Sequence, residues 1–172
     1  MTKSKNDRLL GHHLIMDTGG SPYMRRLWIG RLRLHIFYRG DNDPDPHDHP
    51  WDFWTFPLTP YVEEVTKIIR DTIADGQPAP APRYYSTLEV VPAWRWTFRP
   101  AEHCHRVLGR WNGDGRGHRN AYPGFAAGKI VTIVWRGRPR RKWGFLKNRD
   151  GKWCWVAWKE YVFGGGKSAP CE

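Results

Sequence analysis

The stretch LRLHIFYRGDNDPDPHDHPWDFW, residues 32–54, decides the fold prediction because it links an alternating strand to a pair of histidines. Between Leu27 and Tyr38, apolar residues alternate with Arg and His, which is the period of a β-strand. The acidic, proline-containing segment 40–46 predicts a turn. His47-Asp48-His49 opens a second predicted run, 47–56. Alternate strand residues point to the same side, so both imidazoles are expected on one face.

The rest of the chain continues as short strand-like runs separated by Pro, Gly and Asp. Further strands are predicted at 61–70, 84–91, 93–99, 105–108, 128–136 and 152–163. The pattern predicts an all-β fold without a long amphipathic helix. We expect one barrel domain over 21–163, a partly ordered N-terminal arm at 1–20, loop insertions at 71–82 and 109–127, and a flexible C-terminal tail at 164–172.

The composition fits one packed domain, since 40% of the 172 residues are hydrophobic and 15% are aromatic. No apolar run is long enough for a membrane helix, and the polar start predicts no secretory leader, so a cytoplasmic protein is expected. Three cysteines without a CxxC motif predict neither a disulfide framework nor a zinc knuckle. The absence of a P-loop and of a strand-linked GxGxxG motif argues against ATP-driven or dinucleotide-dependent chemistry.

Basic residues outnumber acidic ones by 28 to 17, which gives a net charge of +11 and favours an anionic partner. Eight of the basic residues lie between Arg136 and Lys152, where only Asp150 is acidic. Two interpretations remain open, a solvated basic face and a surface for nucleotide or nucleic acid. The candidates for an anion-binding rim are Arg138, Arg140, Arg141 and Lys142.

Histidines and a glutamate later in the chain extend the His-x-His pair into a candidate metal site. Glu63 follows on the predicted return strand, and His105 lies 56 residues after His49 within the run Glu102-His103-Cys104-His105. Three imidazoles and one carboxylate suit one divalent ion, Fe(II), Mn(II), Ni(II) or Zn(II), and the ligand count alone does not choose among them. The ordinary alternatives are histidines that cap the acidic turn, a surface Glu63 paired with Lys67, and a core histidine at 105.

The set His47, His49, Glu63 and His105 resembles the metal-ligand set of the cupin superfamily, in which three His and one Glu surround a metal in a small β-barrel. The blocks HDHPWDFW, YVEE, HRV, IVWRGRPRRKWGF and WCWVAW are similar to small bacterial and bacteriophage cupin-like proteins of uncharacterised function. The resemblance covers roughly residues 27–160. It implies a cupin-type barrel, and it favours His105 over His103 and Glu63 over Glu64.

The resemblance implies a metal-dependent enzyme, with an iron oxygenase or dioxygenase as the leading hypothesis and an anionic small molecule or nucleotide as substrate. No catalytic residue is assigned beyond the ligands, and the candidate substrate-binding residues are Tyr61, Arg106, Arg136, Trp51 and Trp54. A non-catalytic module that binds nucleotide or nucleic acid is the alternative from another class. An isomerase or hydrolase on the same barrel is the third, because fold does not dictate reaction. A cupin-like homodimer is one expected oligomeric state.

The glycine-rich segment 113–128 predicts a lid. It leaves the strand of His105 and returns at the strand ending in Arg136, so both anchors would flank the metal. Gly113 would give a flexible entry, and Tyr122 and Phe125 would cover the substrate. An insertion without a role is the alternative.

Overall fold

The computed structural model describes residues 9–17, 19–69, 83–113 and 123–171. The described strands are β1 (Leu10–Met16), β2 (Pro22–Ile29), β3 (Leu32–Phe37), β4 (Phe53–Pro57), β5 (Tyr61–Ile69), β6 (Arg83–Val91), β7 (Thr97–Arg99), β8 (Cys104–Trp111), β9 (Phe125–Ala126), β10 (Ile130–Arg136), β11 (Gly144–Arg149) and β12 (Lys152–Ala157). One short helix, α1 (Trp158–Phe163), follows within these residues. No helix of the described part is long and apolar enough to cross a membrane.

The strands form antiparallel sheets around an internal cavity. A six-stranded sheet has the order β1-β2-β3-β10-β4-β7, a four-stranded sheet has the order β6-β5-β8-β9, and β11 pairs with β12. His47 forms single bridges to His105 of β8 and to Phe145 of β11, so the segment before β4 connects these last two sheets. The prediction of an all-β fold is confirmed, and the cupin type of the barrel stays a prediction.

The predicted strand from Leu27 to Tyr38 is in fact a hairpin. Ile29 of β2 pairs with Leu32 of β3, and Gly30-Arg31 forms the two-residue turn between them. Gly30 has a φ of +55°, a left-handed conformation that glycine adopts without the steric cost of a Cβ. The alternation of apolar and polar residues continues through the turn, so the sequence pattern does not reveal that the strand ends there.

The described residues include regular structure or fixed contacts within the segments predicted as an N-terminal arm and a C-terminal tail. β1 lies inside the predicted arm and pairs along its length with β2. A disulfide joins Cys154 to Cys171, contrary to the prediction, and it fastens the C-terminal segment to β12. The buried Lys147 ammonium donates hydrogen bonds to two carbonyls of that segment, at Gly166 and Ala169, both at 2.5 Å. The predicted run 152–163 also divides into β12 and α1. The predicted loop 71–82 lies outside the described residues.

The six-stranded sheet carries polar side chains on its inner face and an apolar row on its outer face. On the inside, Arg26, His35 and Thr132 are paired across β2, β3 and β10. On the outside, paired residues from all six strands form one exposed line, the apolar row: Leu10, Ile29, Leu32, Trp135, Trp54 and Phe98. The inner face also carries buried apolar side chains, such as Met24, Phe37 and Val134, so both faces of this sheet are partly apolar.

Candidate metal centre

Three histidines converge at one wall of the cavity. The backbone of His47 exchanges two hydrogen bonds of 2.9 Å with that of His105, and the His49 N–H donates to the Ala101 carbonyl at 2.9 Å. The Nε2 atoms of His49 and His105 lie 3.0 Å apart, and one ring nitrogen from each of the three histidines lies within 4.8 Å of the others. We call His47, His49 and His105 the histidine triad.

The donor set of the histidine triad fits a divalent metal ion. Two nitrogens that bind one ion at about 2.1 Å lie roughly 3.0–3.4 Å apart, and the separation between His49 and His105 is in this range. Burial lowers the pKa of His47 to about 4. Burial, together with the neighbouring imidazoles, also lowers the pKa of His49 well below its usual value. Both rings are therefore neutral near pH 7, which is the protonation state that binds a metal.

Asp48, between the two histidines, anchors this segment from the other side. Its carboxylate accepts hydrogen bonds from the Gly144 N–H at 2.7 Å, from Arg141 at 2.6 Å and from the Trp155 indole at 3.0 Å. The aspartate thus fixes the backbone between His47 and His49 against β11 and β12. The sequence pattern does not predict this role of Asp48.

Glu63, predicted as the fourth ligand, lies behind the triad. Its carboxylate is fully buried and accepts a hydrogen bond from Nδ1 of His105 at 2.7 Å, while its other oxygen pairs with Arg99. Burial alone would raise the pKa of Glu63, but its hydrogen bonds to His103 and His105 and the charge of Arg99 bring it below the usual range. An ionised carboxylate accepts only, so Nδ1 of His105 carries the proton of this hydrogen bond and Nε2 is the nitrogen that faces His49.

A second cluster, Glu63, His103 and His105, also has donor atoms within 4.8 Å of one another. It suits a cation less well, because Arg99 already occupies one oxygen of Glu63. Neither Glu63 nor His103 lines the cavity, whereas the whole histidine triad does. The triad is therefore the cluster that a cavity ligand can reach.

The cavity has a volume of about 380 Å³, which suits a small molecule. Three of the predicted substrate-binding residues, Tyr61, Trp51 and Arg136, line it. The Arg136 guanidinium lies 4.8 Å from the centre of the Trp51 ring. Burial raises the pKa of Tyr61 well above its usual value, so its hydroxyl stays neutral.

Two other predicted substrate-binding residues point away from the cavity. Arg106 alternates with His105 on β8, so it faces the opposite side, where it pairs with Glu64 and donates to the Asp43 carbonyl at 3.1 Å. Trp54 belongs to the exposed apolar row and packs on Phe98 with a ring separation of 5.2 Å. In both cases, strand alternation places the side chain on the outer face.

The predicted anion-binding rim is partly neutralised by the protein's own carboxylates. Arg140 binds Asp52 at 2.8 Å and Glu102 at 2.7 Å, and Arg141 binds Asp48 at 2.6 Å. Arg138 and Lys142 are exposed. Two of the four basic residues of the rim thus already have acidic partners. The net charge of residues 136–152 therefore overstates the positive charge that is available to a ligand.

The predicted lid falls mostly outside the described residues, which omit 114–122. Its end, Phe125, pairs with Trp111 in the short β8–β9 ladder and is exposed. The described part of the segment therefore continues a sheet, and closure over the cavity stays a prediction.

Sequence reasoning missed two arginines that line the cavity, Arg26 and Arg33. The available signal was parity, because Arg33 and His35 share a face of β3. Arg26 was hidden because β2 was not recognised as a strand of its own.

Neither a protein-family model nor a curated protein matches the chain. Among solved structures, it is similar to Fe(II) HppE, at 8% identity over 80% of this chain and 60% of that one, with a TM-score of 0.46. It is similar to hydroxypropylphosphonic acid epoxidase from S. wedmorenis at 10% identity over 74% and 63%, with a TM-score of 0.39. It is also similar to the DMSP lyase DddQ from Ruegeria pomeroyi DSS-3 at 16% identity over 83% and 54%, with a TM-score of 0.33.

The chain spans less than two thirds of the length of each of these neighbours. At such identities the likeness concerns the arrangement of strands, so the chemistry of the site has to be inferred from the residues of this chain.

Proposed function

We propose that the protein is a metal-dependent enzyme whose divalent ion is bound by His47, His49 and His105 and whose reaction is of the oxygenase type. The single observation that carries this proposal is the histidine triad itself, three imidazoles with converging ring nitrogens at the wall of a 380 Å³ cavity. Three protein ligands leave positions for a substrate, as in catalytic rather than structural metal sites.

A bound redox-active ion such as Fe(II) would supply the redox chemistry of a reaction with O₂. Three imidazoles are suitable ligands for such an ion. The protein's own contribution is to hold and orient. Glu63 fixes the ring of His105 from behind, and Asp48 fixes the segment that carries the other two histidines. Phe53 packs on the His49 ring at 4.7 Å and excludes water from that side.

The proposal is tested by the metal content of protein purified without a histidine tag and reconstituted anaerobically with Fe(II). We expect about one ion per chain in the wild type and a loss of at least tenfold in affinity for His47→Ala and His105→Ala. His13→Ala, on exposed β1, is the matched control and should bind like the wild type. Unchanged metal content in both triad variants would refute the site.

The oxygenase part is tested separately by adding nitric oxide, a spectroscopic substitute for O₂, to the Fe(II)-loaded protein. An electron paramagnetic resonance signal of the iron nitrosyl is expected if a ligand position is open. If the protein binds Zn(II) well, binds Fe(II) poorly and gives no nitrosyl signal, the isomerase or hydrolase alternative replaces the oxygenase.

A further inference from the structure

We propose that the inner face of the six-stranded sheet binds the anionic group of the substrate, a carboxylate or a phosphate, through Arg26, His35 and Arg136. This inference rests on the proposed function, because it names the class of substrate that binds in the cavity beside the histidine triad. The substrate is then a small organic acid whose oxyanion is held by the sheet while the rest of the molecule faces the histidine triad.

The three residues lie together on the cavity wall. Arg26 of β2 is the cross-strand partner of His35 of β3, and both point inward with Arg136 at the end of β10. Arg33 lines the same wall two residues before His35. Strand pairing therefore places three guanidinium groups and one imidazole inside a single cavity of the protein.

Two carboxylates line the cavity, and each binds groups other than Arg26 and Arg33. Asp41 accepts hydrogen bonds from the Tyr23 hydroxyl and from the Val107 N–H, and Asp43 binds the Tyr161 hydroxyl and Lys167. The two cavity acids are thus engaged with other groups.

The hydrogen bonds of Arg26, Arg33 and His35 leave these three side chains able to bind a ligand. Arg33 donates to the carbonyls of Gly30 at 2.6 Å and Leu32 at 3.1 Å, which bear no formal charge. Nε of Arg26 and Nε2 of His35 are buried and have no hydrogen-bond partner in the described part of the chain. A buried polar atom without a partner costs free energy, and a buried cation costs more, so this wall is built for a ligand that is not protein.

Electrostatic repulsion among Arg26, Arg33 and Arg136 is consistent with their close placement on the cavity wall. Burial lowers the pKa of Arg33 to about 10, and the charges of Arg136 and Arg26 contribute to the shift. The pKa of buried Arg26 is lowered as well, by burial first and also by Arg136. An oxyanion relieves both effects, because guanidinium groups bind carboxylate and phosphate oxygens with paired, charge-assisted hydrogen bonds.

The experiment uses metal-free full-length protein and isothermal titration with two probes, sodium acetate and inorganic phosphate. We expect one of them to bind at about one per chain and the affinity to fall at least tenfold in Arg26→Met. Binding of acetate alone identifies a carboxylate, and binding of phosphate alone identifies a phosphate group. The matched control is Arg25→Gln, which removes an exposed charge from the adjacent position on the outer face of β2 and should leave binding unchanged.

Thermal unfolding of the ligand-free variants separates this role from a structural one. Arg26→Met removes a buried, crowded charge, so its melting temperature should equal or exceed that of the wild type. Absence of binding by both probes, or equal binding by Arg26→Met and Arg25→Gln, would overturn the inference. Binding retained in Arg26→Met together with a lower melting temperature would do the same. Because no metal is present, a failure of the metal site leaves this result unaffected.

Discussion

A single carboxylate, Glu63, determines which nitrogen of His105 is available to the cavity. It accepts from Nδ1 and leaves Nε2 towards His49, while Arg99 balances its charge. The sequence identified Glu63 as part of the site but assigned it to the metal. Spacing could not distinguish the two roles, because a ligand and a residue hydrogen-bonded to a ligand are only one imidazole ring apart.

Glu63→Gln tests this positioning role. The amide can still contact His105 but no longer carries the charge that fixes its tautomer, so we expect metal affinity to fall by about 10- to 100-fold. The measurement is a competition titration with Co(II) against a chromophoric chelator. A lower melting temperature should accompany the loss, because Arg99 is left buried beside a neutral group.

Glu64→Gln is the matched control for Glu63→Gln. Glu64 is the next residue of β5 and pairs with Arg106 on the opposite face. Its substitution should not change metal affinity. Equal affinities for the wild type and Glu63→Gln would show that Glu63 does not orient His105.

At the scale of elements, β8 links the site to the rest of the barrel, because it carries His105 and pairs with β5 and with the His47 segment. The sequence predicted a strand at 105–108, but it assigned both His105 and Arg106 to the site, although these neighbours lie on opposite faces of the strand. The bridge to His47 could not be predicted, since His47 and His49 lie in an extended segment with only an isolated bridge. The expectation of two imidazoles on one side still agrees with the backbone, because that segment is extended.

Gly40 allows the chain after β3 to pass close to β8. A Cβ at this position would lie 2.0 Å from the Leu108 carbonyl oxygen and 2.9 Å from that of Val107, both backbone atoms. Gly40→Ala must therefore displace β8, and we expect a loss of about 1–3 kcal/mol in the free energy of unfolding together with weaker metal binding. Urea denaturation and metal titration measure the two effects.

Gly19→Ala serves as the control for Gly40→Ala, because a Cβ there would meet nothing closer than 3.5 Å. It should change stability little. If Gly40→Ala unfolds at the same urea concentration as this control, the close approach to β8 is not a constraint on the fold.

For the whole molecule, the sequence predicted the fold class and most strand positions, because two-residue periodicity is a local signal. The features it missed depend on contacts between distant segments. The Cys154–Cys171 disulfide involves two of three cysteines at an uninformative spacing, and the pairing of Arg140 with Asp52 and Glu102 is invisible in a count of charges. The six-stranded sheet shows the same limit, since alternation gives two faces without saying which one lines the cavity.

The apolar row on the outer face of the six-stranded sheet has a consequence for the colloidal behaviour of the protein. At low salt, a net charge of +11 keeps copies apart, because the screening length is about 30 Å at 0.01 M. At 0.15 M the length shrinks to about 8 Å, and attraction between exposed apolar rows remains. The second virial coefficient of the wild type, measured by static light scattering, should therefore change from positive to negative as the NaCl concentration rises. In Trp135→Thr, which interrupts the row at its centre, the coefficient should stay positive. A wild-type coefficient that stays positive at every salt concentration would mean that the row is too well solvated to attract another copy.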